Sequence, residues 1–172
     1  MATLETLFAD HDLVRRAHAL IAAYAGLGLK IATAESCTGG LLAGLLTEVP
    51  GSSSVVDRGF VTYSNDAKHD QLGVDHELLA LYGAVSAPVA RAMAEGAIVR
   101  SRAAISLSIT GIAGPGGGGA DKPVGLVHFA RCERDGQTEL REMRFGDLGR
   151  AGVRRAALDT ALNLLESRAK GP

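Results

Sequence analysis

No tryptophan occurs among the 172 residues, and aromatic side chains make up only 4%. A core of stacked large rings is excluded, so small and aliphatic side chains must fill the interior by close packing between layers. Cysteine is nearly absent: Cys37 and Cys132 stand far apart with no C-x-x-C, which argues against a disulfide-stapled secreted fold and for a reducing compartment. Charge of one sign is lacking, because 18 basic and 19 acidic residues leave a net charge of −1. A one-sided basic footprint for nucleic acid is excluded, and any phosphate must be met locally. Long apolar runs are lacking too. Nothing reaches the ~20 residues of a membrane span, and MATLETLFADHDLVRRAH has neither the basic start nor the apolar stretch of a signal peptide. The expectation is a cytoplasmic protein of one domain, 1–172, long enough to bury a core without disulfides or structural metal.

What is present is an alternation of periods. Leu7 to Ala25 repeats apolar residues at helical spacing and stops at Gly26 and Gly28; Leu29 to Ala34 reads as a buried strand, and Gly39 to Val49 as a helix. Val55 to Tyr63 is strand-like. Asn65 can cap a short helix through Leu72, Glu77 to Tyr82 forms another, and Ser86-Ala87-Pro88 opens an alanine-rich helix to about Ser101. Strands follow at Ala103–Thr110, Val124–Cys132 and Thr138–Phe145, the last two joined by a turn at Asp135-Gly136, before a helix from Ala151 to Ala169. The alternation with one late hairpin predicts a three-layer α/β/α sandwich around a mainly parallel, mixed sheet in a single domain.

In such sheets ligands gather where strands hand over to helices. Three segments lie there: TAESCTGG (33–40), TYSNDAK (62–68) and the loop from Thr110 to Gly119. Ser36 sits between strand and helix, where a hydroxyl can project as a nucleophile beside the amides of Cys37, Thr38 and Gly39. The stretch is not the esterase G-x-S-x-G, and on its own a capping role for Ser36 or Thr38 is the commoner one. Cys37 is either a thiolate at a helix start or a small buried hydrophobe, the second being preferred. Lys68 changes the balance for Ser36. No histidine stands at a triad spacing, and a lysine serves as base if desolvation lowers its pKa; otherwise it is a solvated helix lysine. Tyr63 can relay a proton, hold the leaving group, or simply end a strand.

The glycine run 114–119 suits an anion cradle or a flexible loop, but a Walker lysine would fall on Ala120, and the dinucleotide fingerprint is missing. His11, His18, His69, His76 and His128 are scattered, so no metal site is expected. Arg150, near the start of the last helix, can reach a phosphate, whereas Arg154-Arg155 reads as a solvated face.

These blocks have a family likeness. TAESCTGG, PGSSSVVDRGFVTYSNDAKHDQLGV, YGAVSAPVARAMAEGA and SLSITGIAGPGGGGADKPVGLVHFA, in order and spacing from about Leu29 to Ala130, closely resemble the C-terminal domain of the competence/damage-inducible protein CinA, also found as stand-alone nicotinamide-nucleotide amidohydrolases (PncC). The resemblance implies hydrolysis of the carboxamide of nicotinamide mononucleotide to nicotinate mononucleotide and ammonia, a step of NAD salvage, without metal or cofactor. It implies Ser36 as nucleophile with Tyr63 and Lys68 as activating partners. Cys37, Thr38, Gly39, Thr110, Gly111, Gly114 and Arg150 would then hold the substrate. A nucleotide-pyrophosphatase domain precedes this one in two-domain relatives, and that second activity is expected to be missing here. Relatives commonly read GDR before the last helix, where this chain has Gly146-Asp147-Leu148-Gly149-Arg150, and Gly116 stands where an acidic residue is common. Two other functions remain open: a non-catalytic adaptor in competence or damage responses, and an amidase or esterase for another small substrate. A symmetric homo-oligomer is expected on general grounds, with no nucleic acid and no membrane as partner.

Overall fold

Each helix begins where a side chain can satisfy the free N–H groups of its first turn. The computed structural model describes residues 10–169, so Leu7 to Ala9 of the expected first helix lie outside the described residues. Helix α1 (His11–Leu27) starts on the Asp10 carboxylate, which accepts from the N–H groups of Asp12 and Leu13, and stops at Gly28, whose φ is 65°. Then come β1 (Ile31–Glu35), α2 (Leu41–Thr47), β2 (Val56–Val61), α3 (Asn65–Leu72), α4 (His76–Tyr82), α5 (Ala87–Val99), β3 (Ile105–Gly111), β4 (Leu126–Glu133), β5 (Thr138–Arg144) and α6 (Gly149–Ala169). The cap of α3 is Ser64, whose Oγ accepts from Ala67 N–H, not Asn65, which is the first helical residue. Ser86 caps α5 as the sequence indicates, with its Oγ accepting from Val89 N–H.

The strands form one mixed sheet in the order β2-β1-β3-β4-β5. Pairings β2–β1 and β1–β3 are parallel, and the β3–β4 and β4–β5 pairings are antiparallel. The fold is the α/β/α sandwich that the alternation predicts. Strand alternation sorts the residues to its two faces. Ile31, Ile105, Leu107, Ile109, Val127 and Phe129 pack under α1, α2 and α6, in a core carried by leucines such as Leu13, Leu42, Leu45, Leu158 and Leu165. Full burial of each such side chain stabilises by ~1.5–3 kcal/mol, so this face supplies most of the hydrophobic stabilisation.

The other face is built from small residues. Ala34 and Ala130 meet Ala90, Ala94 and Ala97 of α5. Ser106 Oγ donates to Ala94 O and Ser108 Oγ to Ala90 O, both at 2.6 Å, and Thr110 Oγ1 donates to Ala84 O at 2.7 Å. The two serines serve carbonyls of α5 and the threonine one of the loop before it, which lets polar residues sit fully buried in β3. The closeness extends to α3: a Cβ on Gly96 would lie 2.1 Å from Leu72 O. Gly96→Ala is therefore expected to cost about 1–3 kcal/mol and to lower the melting temperature by several degrees, measured by circular dichroism.

Because β1 connects to β2 on one side while β3 lies on its other side, the sheet has a switch point at the carboxyl ends of β1 and β3. Ser36 directly follows β1, and Thr110 and Gly111 end β3. Lys68 is brought over them by α3.

Candidate active site

The turn after β1 is shaped by a buried carboxylate and two glycines. Glu35 is fully buried, and its oxygens accept from Gly40 N–H (3.1 Å), Leu42 N–H (3.0 Å), Ala43 N–H (2.9 Å) and Thr33 Oγ1–H (3.2 Å). The three N–H donors are the free groups that open α2. Gly39 and Gly40 adopt φ of 60° and 92°, the left-handed region open to glycine without strain. Neither Ser36 nor Thr38 caps α2; Glu35 does, and the Ser36 hydroxyl is left for other work. The carboxylate in the motif is thus the residue the sequence reading passed over. Its only sequence signal is an acidic residue shortly before a helix start.

Lys68 meets that hydroxyl directly. Its Nζ lies 3.1 Å from Ser36 Oγ, 2.8 Å from Thr62 O and 3.5 Å from Ser64 O. The lysine is only 1% exposed, so the solvated alternative does not describe it. Burial pushes its ammonium below the ordinary 10.5. A lysine held in this way can lose its proton to become a base.

Tyr63 does not stand between Ser36 and Lys68. Its ring is 62% exposed, and its hydroxyl accepts from Arg150 Nη2 at 3.0 Å. Arg150 Nη1 also donates to Gly114 O at 3.1 Å. The guanidinium therefore ties α6, the glycine loop and the β2–α3 turn together across one opening. The residues separating Asp147 from Arg150 do not carry the arginine away, because Asp147 Oδ1 accepts from Gly149 N–H at the start of α6 and Arg150 lies in its first turn.

A cavity of about 270 Å³ collects these groups, lined among others by Ser36, Cys37, Tyr63, Lys68, Thr110 and Arg150. Gly111, Gly114, Gly116 and Gly117 complete its wall, and no carboxylate lines it. Of the residues singled out in sequence, Thr38 and Gly39 are not in this lining. Thr38 is buried, with its carbonyl accepting from Arg154 Nη2 at 2.7 Å, and Gly39 N–H donates to Ser36 O at 3.0 Å. Arg154 is half-buried rather than part of a solvated face. The N–H groups of Cys37 and Thr38 meet no backbone or side-chain oxygen among the described residues.

The Cys37 side chain is buried, and burial pushes its thiol up to about 12. It is therefore a protonated thiol at neutral pH, poor in nucleophilicity. In the folded protein Cys37 is expected to resist iodoacetamide while the urea-unfolded chain is labelled, which mass spectrometry checks. Among the described residues no three His, Cys, Asp or Glu side chains gather as metal ligands. His69 and His76 stack with ring centroids 3.9 Å apart, away from the cavity lining.

Fold and site together define an α/β/α sandwich protein with a strand-end serine paired to a buried lysine. A family model described as the CinA C-terminal domain matches residues 14–169. The chain belongs to the CinA C-terminal domain family. It is 53% identical over 146 residues to a CinA-like protein of Anaeromyxobacter sp. (strain Fw109-5), covering 85% of this chain and 35% of the relative. A CinA-like protein of Syntrophobacter fumaroxidans is 52% identical over 138 residues, covering 80% and 32%. The chain thus spans about a third of the length of the curated relatives it matches. Among solved structures, the competence/damage inducible protein CihA of Agrobacterium tumefaciens superposes with a TM-score of 0.90 at 53% identity, covering 97% of this chain and 98% of that one. A CinA superfamily protein of Escherichia coli gives 0.85 at 37% identity, covering 91% and 90%. No helix among the described residues is long and apolar enough to cross a membrane.

Proposed function

We propose that this chain is an amidohydrolase that converts nicotinamide mononucleotide to nicotinate mononucleotide and ammonia. The supporting observation is the 3.1 Å contact between a buried lysine amine and the Ser36 hydroxyl inside a cavity free of carboxylates. Neutral Lys68 takes the Ser36 proton as Oγ attacks the carboxamide carbon. The Cys37 N–H, which meets no backbone oxygen among the described residues, serves the developing oxyanion. The Gly39 N–H is already spent on Ser36 O and drops out of the proposed pocket. The Lys68 ammonium then protonates the amide nitrogen, the C–N bond breaks and ammonia leaves. Water attacks the acyl-serine, giving its proton to Lys68, and the acid is released as Ser36 regains its hydrogen.

Thr110 Oγ1 donates its hydrogen to Ala84 O, so its lone pairs are free to accept from the carboxamide NH2. Arg150 supplies the charge for the phosphate at the cavity's opening, with the glycine-loop backbone beside it. In this reading Tyr63 positions Arg150 and offers its ring to the pyridine; it is not needed as a relay.

Names of relatives speak of competence and damage and give no reaction. An adaptor has no physical need of a buried lysine aimed at a serine. The test is ammonia release from nicotinamide mononucleotide by the purified chain. Ser36→Ala is expected to lower turnover by at least about a thousandfold while leaving the melting temperature near that of the wild type. Undiminished release by the variant would remove the serine mechanism, and silence of the folded wild type would remove the activity.

A further inference from the structure

The last helix meets the candidate site twice. Arg150 and Arg154 stand four residues apart in α6 and so share one of its faces. Arg150 reaches the opening of the cavity, where it donates to Tyr63 Oη and Gly114 O. Arg154 does not line the cavity. It lies behind the serine turn, where its Nη2 donates to Thr38 O at 2.7 Å and would stand 3.5 Å from a Cβ on Gly39.

For stability alone this is an unfavourable place for a cation. Arg155 pairs with Asp10, and Arg16 with Asp159 and Glu166, but among the described residues no carboxylate pairs with Arg154. Its Nε is sealed from solvent without a hydrogen-bond partner. Burial and the charge of Arg150 both push its guanidinium below its ordinary value. An apolar side chain of similar length would fill the space without burying a charge or an unpaired N–H.

What the guanidinium does touch is an amide plane that closes the turn. The Thr38–Gly39 peptide is fixed at both ends: Gly39 N–H donates to Ser36 O at 3.0 Å, while Thr38 O accepts from Leu41 N–H at 3.3 Å and from Arg154 Nη2 at 2.7 Å. The shorter of the two contacts on Thr38 O is the charge-assisted one, the stronger kind. At the start of the turn Ser36 N–H donates to Ile109 O at 2.9 Å. Between these two anchors lie the Ser36 hydroxyl and the Cys37 N–H, the groups that the proposed reaction needs in register.

We infer that Arg154 is a positioning residue, which clamps the Thr38 carbonyl from α6 so that Ser36 Oγ stays on the Lys68 amine with the Cys37 N–H beside it. Its effect on turnover rests on the proposed acyl transfer, whereas the clamp is a property of the folded chain. Without it the turn can move, and a nucleophile misplaced by about 1 Å loses on the order of a hundredfold in rate. The clamp uses a single N–H rather than the guanidinium fork. A lysine, with its cationic donor on a long stem, can therefore stand in for it.

The test follows the turn by two routes in Arg154→Met and Arg154→Lys, with folding checked by circular dichroism. Arg154→Met is expected to melt within ~3 °C of wild type or above it, since it removes a half-buried charge that no carboxylate offsets. Its kcat on nicotinamide mononucleotide should fall ~10–100-fold with KM within ~threefold of wild type, and Arg154→Lys should recover most of the loss. The second route needs no substrate. Cys37 lies in the clamped turn and Cys132 in β4, both buried, so native-state labelling with iodoacetamide compares opening of the turn with opening of the sheet. In Arg154→Met, mass spectrometry is expected to show Cys37 labelled at least about tenfold faster than in wild type and Cys132 unchanged. A Cys37 rate that stays at the wild-type value, or a lysine variant that labels like Arg154→Met, would overturn the clamp. A rise shared equally by Cys132, or an Arg154→Met that does not fold, would overturn it by making Arg154 a support of the whole fold. A faster Cys37 with kcat unchanged, or a raised KM with kcat unchanged, would overturn the link to the nucleophile. A folded wild type that releases no ammonia removes the proposed activity, and the cysteine comparison then decides the clamp alone.

Discussion

Lys68→Met is expected to lower turnover on nicotinamide mononucleotide by ~10²–10⁴-fold with little change in KM, because it removes the base while leaving the cavity's Arg150 end intact. Methionine fills nearly the same volume, so the readout is chemical rather than a collapse of the fold. In the proposed mechanism the base works only as the free amine. Turnover therefore rises with pH as Lys68 loses its proton, with a midpoint below the ordinary 10.5.

The same burial leaves a signature in stability. An unfolded chain keeps the residue-68 proton up to about 10.4, whereas the folded protein releases it at lower pH. Below the folded value the full penalty of a buried ammonium is present. Between the two values the unfolded chain binds the extra proton, so stability rises with pH until both states are neutral. Lys68→Met lacks this linkage. Urea titrations at about pH 7 and about pH 10 should show the wild type gaining on the variant as pH rises. A gap that stays flat would mean that Lys68 titrates alike in folded and unfolded chains, and it could not then be the poised base.

How far the site was legible depended on whether the deciding contact was local. Ser36 and Lys68 could be paired from the sequence because each falls in a strand-to-helix handover, and parallel strands bring such handovers to one end of the sheet. The element boundaries were legible to within a few residues, since helical and alternating periods switch sharply at Gly28, Pro50 and Ser86. The cap of α3 was misplaced by one residue, because Ser64 and Asn65 are equally good cap types and only the extended backbone of Ser64 decides between them. The sequence leaves Tyr63 open among relay, leaving-group holder and strand end because its partner, Arg150, lies 87 positions away, beyond any local pattern. Gly39 was read as an anion donor because sequence does not reveal which of three consecutive amides the turn itself uses. The strand holding Ser106 and Ser108 is legible in sequence, but only the approach of α5 shows those serines bonded to its carbonyls.

Glu35→Gln is expected to cost about 2–4 kcal/mol of stability and to lower kcat by ~10–100-fold, although Glu35 does not line the substrate cavity. Its carboxylate accepts four hydrogen bonds, three of them from the backbone N–H groups that open α2. An amide can accept at only one of its two ends. If its oxygen serves Gly40 and Leu42, its NH2 is forced against Ala43 N–H and Thr33 Oγ1, where only the hydroxyl can rotate to accept. The turn from Ser36 to Gly40 then shifts to relieve the donor clash, and Ser36 Oγ moves off the Lys68 amine. A positioning fault of this kind lowers kcat more than it raises KM, because in the proposed mechanism the phosphate meets Arg150 and the glycine loop, which Glu35 does not touch. Thr33→Val serves as the comparison: it removes one hydroxyl donor, keeps the three backbone contacts, and should cost only about 1 kcal/mol with kcat within a few-fold of wild type. If Glu35→Gln proved as unstable as expected yet turned over at the wild-type rate, the carboxylate would support the helix without aligning the serine, and the link from the buried acid to the nucleophile would be broken.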